Sequence, residues 1–125
     1  MSGELRDIVL ALEQATNAKP YDPIYRAVSY AERAGWIGRP THSTALRMIV
    51  GDACVDAALL LMRPEWHVRS GRGFSARGAL VWGCVIELPG VNPPISIIQV
   101  GRAEHHHSHA CAIVLAAIEA YGEGQ

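Results

Sequence analysis

Residues 65–88 read EWHVRSGRGFSARGALVWGCVIEL, and the hydrophobic period of the chain changes inside this stretch. In EWHVRS the residues alternate, with Trp66 and Val68 on one side and His67 and Arg69 on the other, as in a half-buried strand. GRGFSARG follows as a glycine-rich turn. ALVWGCVIEL is a second β-rich run, and ISIIQVGRA (95–103) is a third. PGVNPP separates them and bars continuation of the strand, because proline has no backbone N–H to donate. Three such runs with short connections predict an antiparallel meander.

Before residue 65 the period is helical. SGELRDIVLALEQATN carries Leu5, Ile8, Val9 and Leu12 at helical spacing, with Glu4 and Asp7 at the positive end. NAKPY breaks it. A second helix is expected from Asp22 as N-cap and Pro23 in the first position, closed by Gly35, with Ile24, Ala27, Val28 and Ala31 inward. From about Ser43 a third pattern runs through STALRMIVGDACVDAALLLM to Pro64. Its interruption at Gly51-Asp52 leaves one long helix or two short ones open. After the strands, SHACAIVLAAIEAYG (108–122) predicts a final helix capped by Ser108. The expected fold is of the α/β (α+β) class, a layered α/β/α sandwich in the order α-α-α-β-β-β-α. One domain spans residues 1–125. Val55, Ala58, Leu59, Val81, Val85, Ile97, Ile113 and Ala117 are expected in its core.

Composition narrows the function classes. Of 125 residues, 50% are apolar and 18% are charged, which describes a globular chain with a real core. The net charge of −1 provides no global field for nucleic acid. Cys54, Cys84 and Cys111 are odd in number and widely spaced, so neither a disulfide framework nor a zinc ribbon is expected. No charged-then-apolar leader opens the sequence, and its apolar runs are too short to span a membrane. A cytoplasmic location is the expectation.

Three stretches together, LALEQAT near the start, VDAALLLMRPEW in the middle and ACAIVLAAIEA at the end, are similar to the phage ABA-sandwich domain family. Val55, Asp56, Ala57, Ala58 and Leu59 match that family's central helix, and Pro64, Glu65 and Trp66 its following turn, without the usual glycine. Asn17 stands where glycine is common, the stretch from Arg39 to Asp52 is long, and HHHSH replaces a Thr-Pro helix start. The resemblance implies a layered fold and a phage or prophage origin in a bacterial host. It carries no catalytic residues with it.

GRAEHHHSHACA (101–112) sets His105, His106, His107 and His109 behind Glu104. Neutral imidazoles at this spacing suit zinc, nickel or copper, with Glu104 adding an oxygen. Ligands from one short segment rarely close a tetrahedron, so His42 or His67 would have to complete the set. The competing reading is the polar lip of a helix. Arg63, Arg69, Arg72 and Arg77 around Trp66 and Phe74 form a second candidate, for a phosphate backbone with stacked bases. The α-β-β-β-α order of this half also follows double-stranded-RNA-binding domains, without their lysines at the last helix.

Catalytic signals are thinner. Ser43, Ser70, Ser75 and Ser108 lie in no nucleophile elbow, and there is no phosphate-binding loop. Asp52 and Asp56 are four apart, and Cys111 neighbours the histidines. The reading favoured by the sequence is a non-catalytic module without cofactor that binds a protein partner, with self-association through free sheet edges as a subsidiary expectation. Because so apolar a chain buries an adequate core unaided, a chelator is expected to leave the melting temperature unchanged. A large loss of thermal stability on chelation, with stoichiometric zinc in protein purified without nickel, would make the histidines a structural metal centre.

Overall fold

The computed structural model describes residues 2–17, 20–89 and 97–123, the side chains of 97 and 123 excepted. Helix α1 (Gly3–Gln14) is capped by Ser2, whose hydroxyl accepts from the Leu5 N–H at 3.1 Å, and buries Leu5, Ile8 and Leu12. The break expected at NAKPY falls partly on residues 18–19, outside the described residues. Helix α2 (Tyr21–Arg33) buries the expected stripe of Ile24, Ala27, Val28 and Ala31. It begins one residue before Asp22, which lies in its first turn. Its end is a Schellman motif: Trp36 N–H reaches the Ala31 carbonyl and Gly35 N–H the Glu32 carbonyl, with Gly35 at φ +80°.

The question left open at Gly51-Asp52 resolves into two helices, α3 (Arg39–Val50) and α4 (Cys54–Leu59). Asp52 sits at φ 70°, which no helix interior tolerates, and its carboxylate accepts a hydrogen bond from the Tyr21 hydroxyl. The first of the two starts at Arg39, earlier than expected, because Pro40 suits the first helical turn.

Strands β1 (His67–Phe74), β2 (Leu80–Pro89) and β3 (Ile97–His105) form a three-stranded antiparallel sheet in the order β1-β2-β3. The first strand runs through half of the expected glycine-rich turn, since Gly71 and Gly73 pair opposite Gly83 and Val81. The turn itself is confined to Ser75–Ala79, where Ser75 N–H donates to the Ala79 carbonyl. Residues 90–94 of PGVNPP lie outside the described residues. Helix α5 (His109–Glu123) starts at Ser108, whose Oγ accepts from the Cys111 N–H at 3.1 Å as expected. The class, the element order and the antiparallel meander agree with the sequence reading.

Within that class the layers stack in a definite way. Helix α5 packs on all three strands and, on its other side, on α1, α2 and α4. It is buried from Ala110 to Val114, from Ala116 to Ile118, and again at Ala120 and Tyr121. A helix whose exposed strip is confined to Glu119 and Gly122, with Leu115 half-buried, belongs largely inside the molecule. Contact with the sheet is closest at Gly101: a Cβ there would collide with the Ala116 carbonyl oxygen and come within 3.0 Å of the Ala120 Cβ. Tyr121 closes the other end of the helix. Its hydroxyl donates to the Leu61 carbonyl at 2.6 Å and lies 3.3 Å from the Trp36 carbonyl. Its ring stacks on Trp36 at 4.4 Å and meets Trp66 edge-on.

The core list needs correction at α4. Ala58, Val81, Ile113 and Ala117 are buried, but Leu59 is 39% exposed and Val55 and Val85 are only half-buried. The buried stripe of this segment is Cys54, Ala57, Ala58 and Leu61, at i, i+3, i+4 and i+7, which turns Leu59 outward. The Ile97 side chain lies outside the described residues. Gly101→Ala should lower folding stability in urea denaturation by roughly 1–3 kcal/mol, the cost of forcing an atom into a packed interior. Gly83→Ala, on the open face of the same sheet with nothing within 4 Å of its Cβ position, should be neutral or slightly stabilising.

Candidate functional site

Of the four clustered histidines, His105 is only 4% exposed, and both its ring nitrogens are engaged. Nε2 lies 2.8 Å from the Leu12 carbonyl, and Nδ1 accepts from the N–H groups of His107 (3.1 Å) and Ser108 (2.9 Å). A carbonyl only accepts and an amide N–H only donates, so the ring is the neutral tautomer with its proton on Nε2. The side chain therefore pins the end of α1 to the β3–α5 junction. Burial holds its pKa below the ordinary 6.5, with the nearby His107 and His106 adding to the depression against the Leu12 hydrogen bond.

The remaining histidines diverge. His106 and His107 are exposed, with ring centroids 6.3 Å apart. His109 turns toward β1 on the helix-covered face of the sheet, where it stacks on Trp82 at 4.6 Å and its Nε2 lies 2.9 Å from the Ser70 Oγ. Burial lowers its pKa also. His42 bonds Ser29 on α2, and His67 is exposed on β1. Glu104 is exposed on β3, 3.6 Å from the Arg102 guanidinium. Among the described residues, no three His, Cys, Asp or Glu side chains converge on a common point.

The arginines are likewise distributed over several surfaces. Arg63 lies over Trp66 and Tyr121, at 5.5 and 5.0 Å from the ring centroids. Arg69 pairs with Glu87 at 2.9 Å on the outer sheet face, whereas Arg72, three residues on, projects to the opposite face over Trp82 at 4.9 Å. Arg77 stands in the hairpin turn. Side chains pointing in such different directions do not track one phosphate backbone.

Candidate catalytic groups are occupied structurally. Ser108 is a buried cap and Ser75 bonds the turn through the Ala79 N–H, while Asp52 accepts from Tyr21. Burial pushes the thiols of Cys84 and Cys111 up to about 11, far from the thiolate form a nucleophile needs. The Ser70–His109 pair was invisible in the sequence because the partners are 39 residues apart. His109 lines neither of two clefts, one between α1, β3 and α5 and a smaller one along Arg69–Phe74 and Arg102–Glu104.

The larger of those clefts was also missed. It encloses about 1120 Å³ between α1, β3 and α5. Leu5 and Val9 of α1, Leu115 and Ile118 of α5, and Ala103 of β3 form an apolar floor. The rim is polar, with Glu13, Glu104, Glu119, Arg102, His106 and His107. It runs along the outer edge of β3, and the Glu119 carboxylate reaches over that edge to the Arg102 N–H at 3.4 Å. The only sequence signal for it was the low bulk of the Ala112–Glu119 face, which marks a helix approached closely by something else.

His105→Ala should cost roughly 2–4 kcal/mol in chemical denaturation, because it leaves a buried carbonyl and two N–H groups without their partner. His105→Asn, whose amide oxygen can stand where Nδ1 does, should recover part of that loss. The pH dependence has a definite sign. A histidine whose folded pKa is depressed binds its proton more tightly in the unfolded chain, so its contribution is complete above 6.5 and is lost as pH falls below it. Stability measured by urea titration should therefore decline on acidification, and less steeply in His105→Ala. Equal slopes would mean that the ring is not held neutral.

Comparison of the chain with protein-family models, with curated proteins and with solved structures finds no match.

Proposed function

We propose that this chain is a non-catalytic protein-interaction module, and that its binding surface is the cleft together with the free edge of β3. The reading rests on one observation: a cleft of about 1120 Å³ with an apolar floor lies against an edge strand. Such an edge presents backbone donors and acceptors to an incoming extended segment, while apolar pockets beside it receive alternate side chains. Mixed apolar floor and polar rim is the composition of a reversible interface. No helix among the described residues is long and apolar enough to cross a membrane. A phage or prophage origin and a place in the host cytoplasm belong to the same proposal, and the similarity to the phage ABA-sandwich family is their support.

A photo-crosslinking residue at position 13, on the cleft rim, tests the reading against the same label at position 76 in the exposed hairpin turn. In cells that express the chain, the label replacing Glu13 should capture protein and the label replacing Ala76 should not. Capture from position 76 alone, or of nucleic acid from either, would move the function to the arginine hairpin.

A further inference from the structure

Resting on that reading, we infer that the occupant of the β3 edge is a second copy of this chain, paired antiparallel with its dyad at Ala103. Because the Arg102 N–H turns to Glu119 rather than to β2, the backbone groups of Arg102 point outward from the sheet. In an antiparallel ladder the outward groups recur at every second residue, so those of Glu104 point outward too. The register shift in the β2–β3 pairing lies between Ile86↔Gly101 and Glu87↔Gln99, just before Arg102, and the pairing from Arg102 to His105 is regular.

Three self-pairings use such outward groups. A dyad at Arg102 would set arginine directly opposite arginine, and a dyad at Glu104 would set glutamate opposite glutamate. A dyad at Ala103 instead places Arg102 opposite Glu104 of the second copy, and the reverse. Those two residues then exchange both backbone hydrogen bonds, and each charge faces its opposite across the strands. Their own 3.6 Å contact within the chain completes a ring of four alternating charges.

Sterics agree with this register. The inner-face residues at the junction are Gly101, Ala103 and the buried His105, so the side chain that the second strand must move aside is Glu119. Among the described residues, the long 3.4 Å contact from Glu119 to the Arg102 N–H is the hydrogen bond of the edge that the second strand displaces. The opposite edge, β1, carries His67, Arg69 and Arg72 and no carboxylate, so its self-pairing has no comparable complement.

Sedimentation equilibrium on the purified chain tests this. The wild type should form a dimer at micromolar concentration. Arg102→Glu and Glu104→Arg should each weaken it at least about tenfold, since each sets like charges opposite at both symmetric pairs. The doubly reversed chain, Arg102→Glu with Glu104→Arg, should return to within about threefold of wild type. Thermal melts of all four proteins separate lost pairing from lost folding. Should a reversal unfold the chain, the amides of Arg102 and Glu104 in the wild type still decide the matter. Their hydrogen exchange should slow as concentration rises. A wild-type chain that stays monomeric at about 1 mM, or a dimer indifferent to both single reversals, would overturn the inference. Crosslinking from position 13 to a different protein would overturn it also while sparing the interaction reading, which fails only if the cleft captures nothing.

Discussion

An apolar helix exposed only along Leu115, Glu119 and Gly122 has to be covered on two sides, and the arrangement of this molecule follows from how α5 is covered. The sheet takes one side and α1, α2 and α4 take the other. Burial of this kind contributes about 25 cal/mol for each Å² of apolar surface removed from water, so the helix with the most buried residues dominates the core. Small residues make the double coverage possible. Ala116, Ala117 and Ala120 on the helix, and Gly101 opposite, let the backbones approach until no further Cβ fits. The bulk withheld there is concentrated at the end, where Tyr121 fills the space between Trp36 and Trp66.

Polar groups enter this interior only where both ends of their hydrogen bonds are met. His105 and Ser108 are the buried polar side chains among the described residues, and both terminate backbone groups at the start of α5. Ser108 satisfies the Cys111 N–H, and His105 satisfies the Ser108 and His107 N–H groups while donating to α1. One imidazole thus does the work of a cap and of a tertiary crosslink. Its neutral state is a condition of that work, since a proton on Nδ1 would face two amide hydrogens.

The same junction leaves its outer side unfilled. With α5 drawn under the sheet and α1 tied back through Leu12, an apolar floor remains between them beside the open edge of β3. Glu119 answers the Arg102 N–H of that edge. The charges flanking the edge, Arg102 and Glu104, sit two apart on one face, an arrangement that is its own complement under a two-fold rotation.

Local pattern carried the elements. Alternation in EWHVRS, the β-rich run ALVWGCVIEL, the glycine at position 35, the serine before the last helix and the apolar stripe of α2 are properties of short stretches, and all of them appear in the structure. The sequence by itself determined the class, the element order and the antiparallel meander, because backbone period and capping act over a few residues. What it left undecided were distances between segments. The choice of two helices rather than one between residues 39 and 59 lay in Asp52 taking a positive φ, with its N–H on the Ile49 carbonyl and the Ala53 N–H on the Met48 carbonyl. The division of four adjacent histidines into one core group, two exposed rings and one stacked on Trp82 required α1, β1 and β2 to arrive from elsewhere in the chain. The cleft is a space between three elements and belongs to none of them. Such features depend on which surfaces meet, and packing against residues tens of positions away sets them, beyond the reach of any local period.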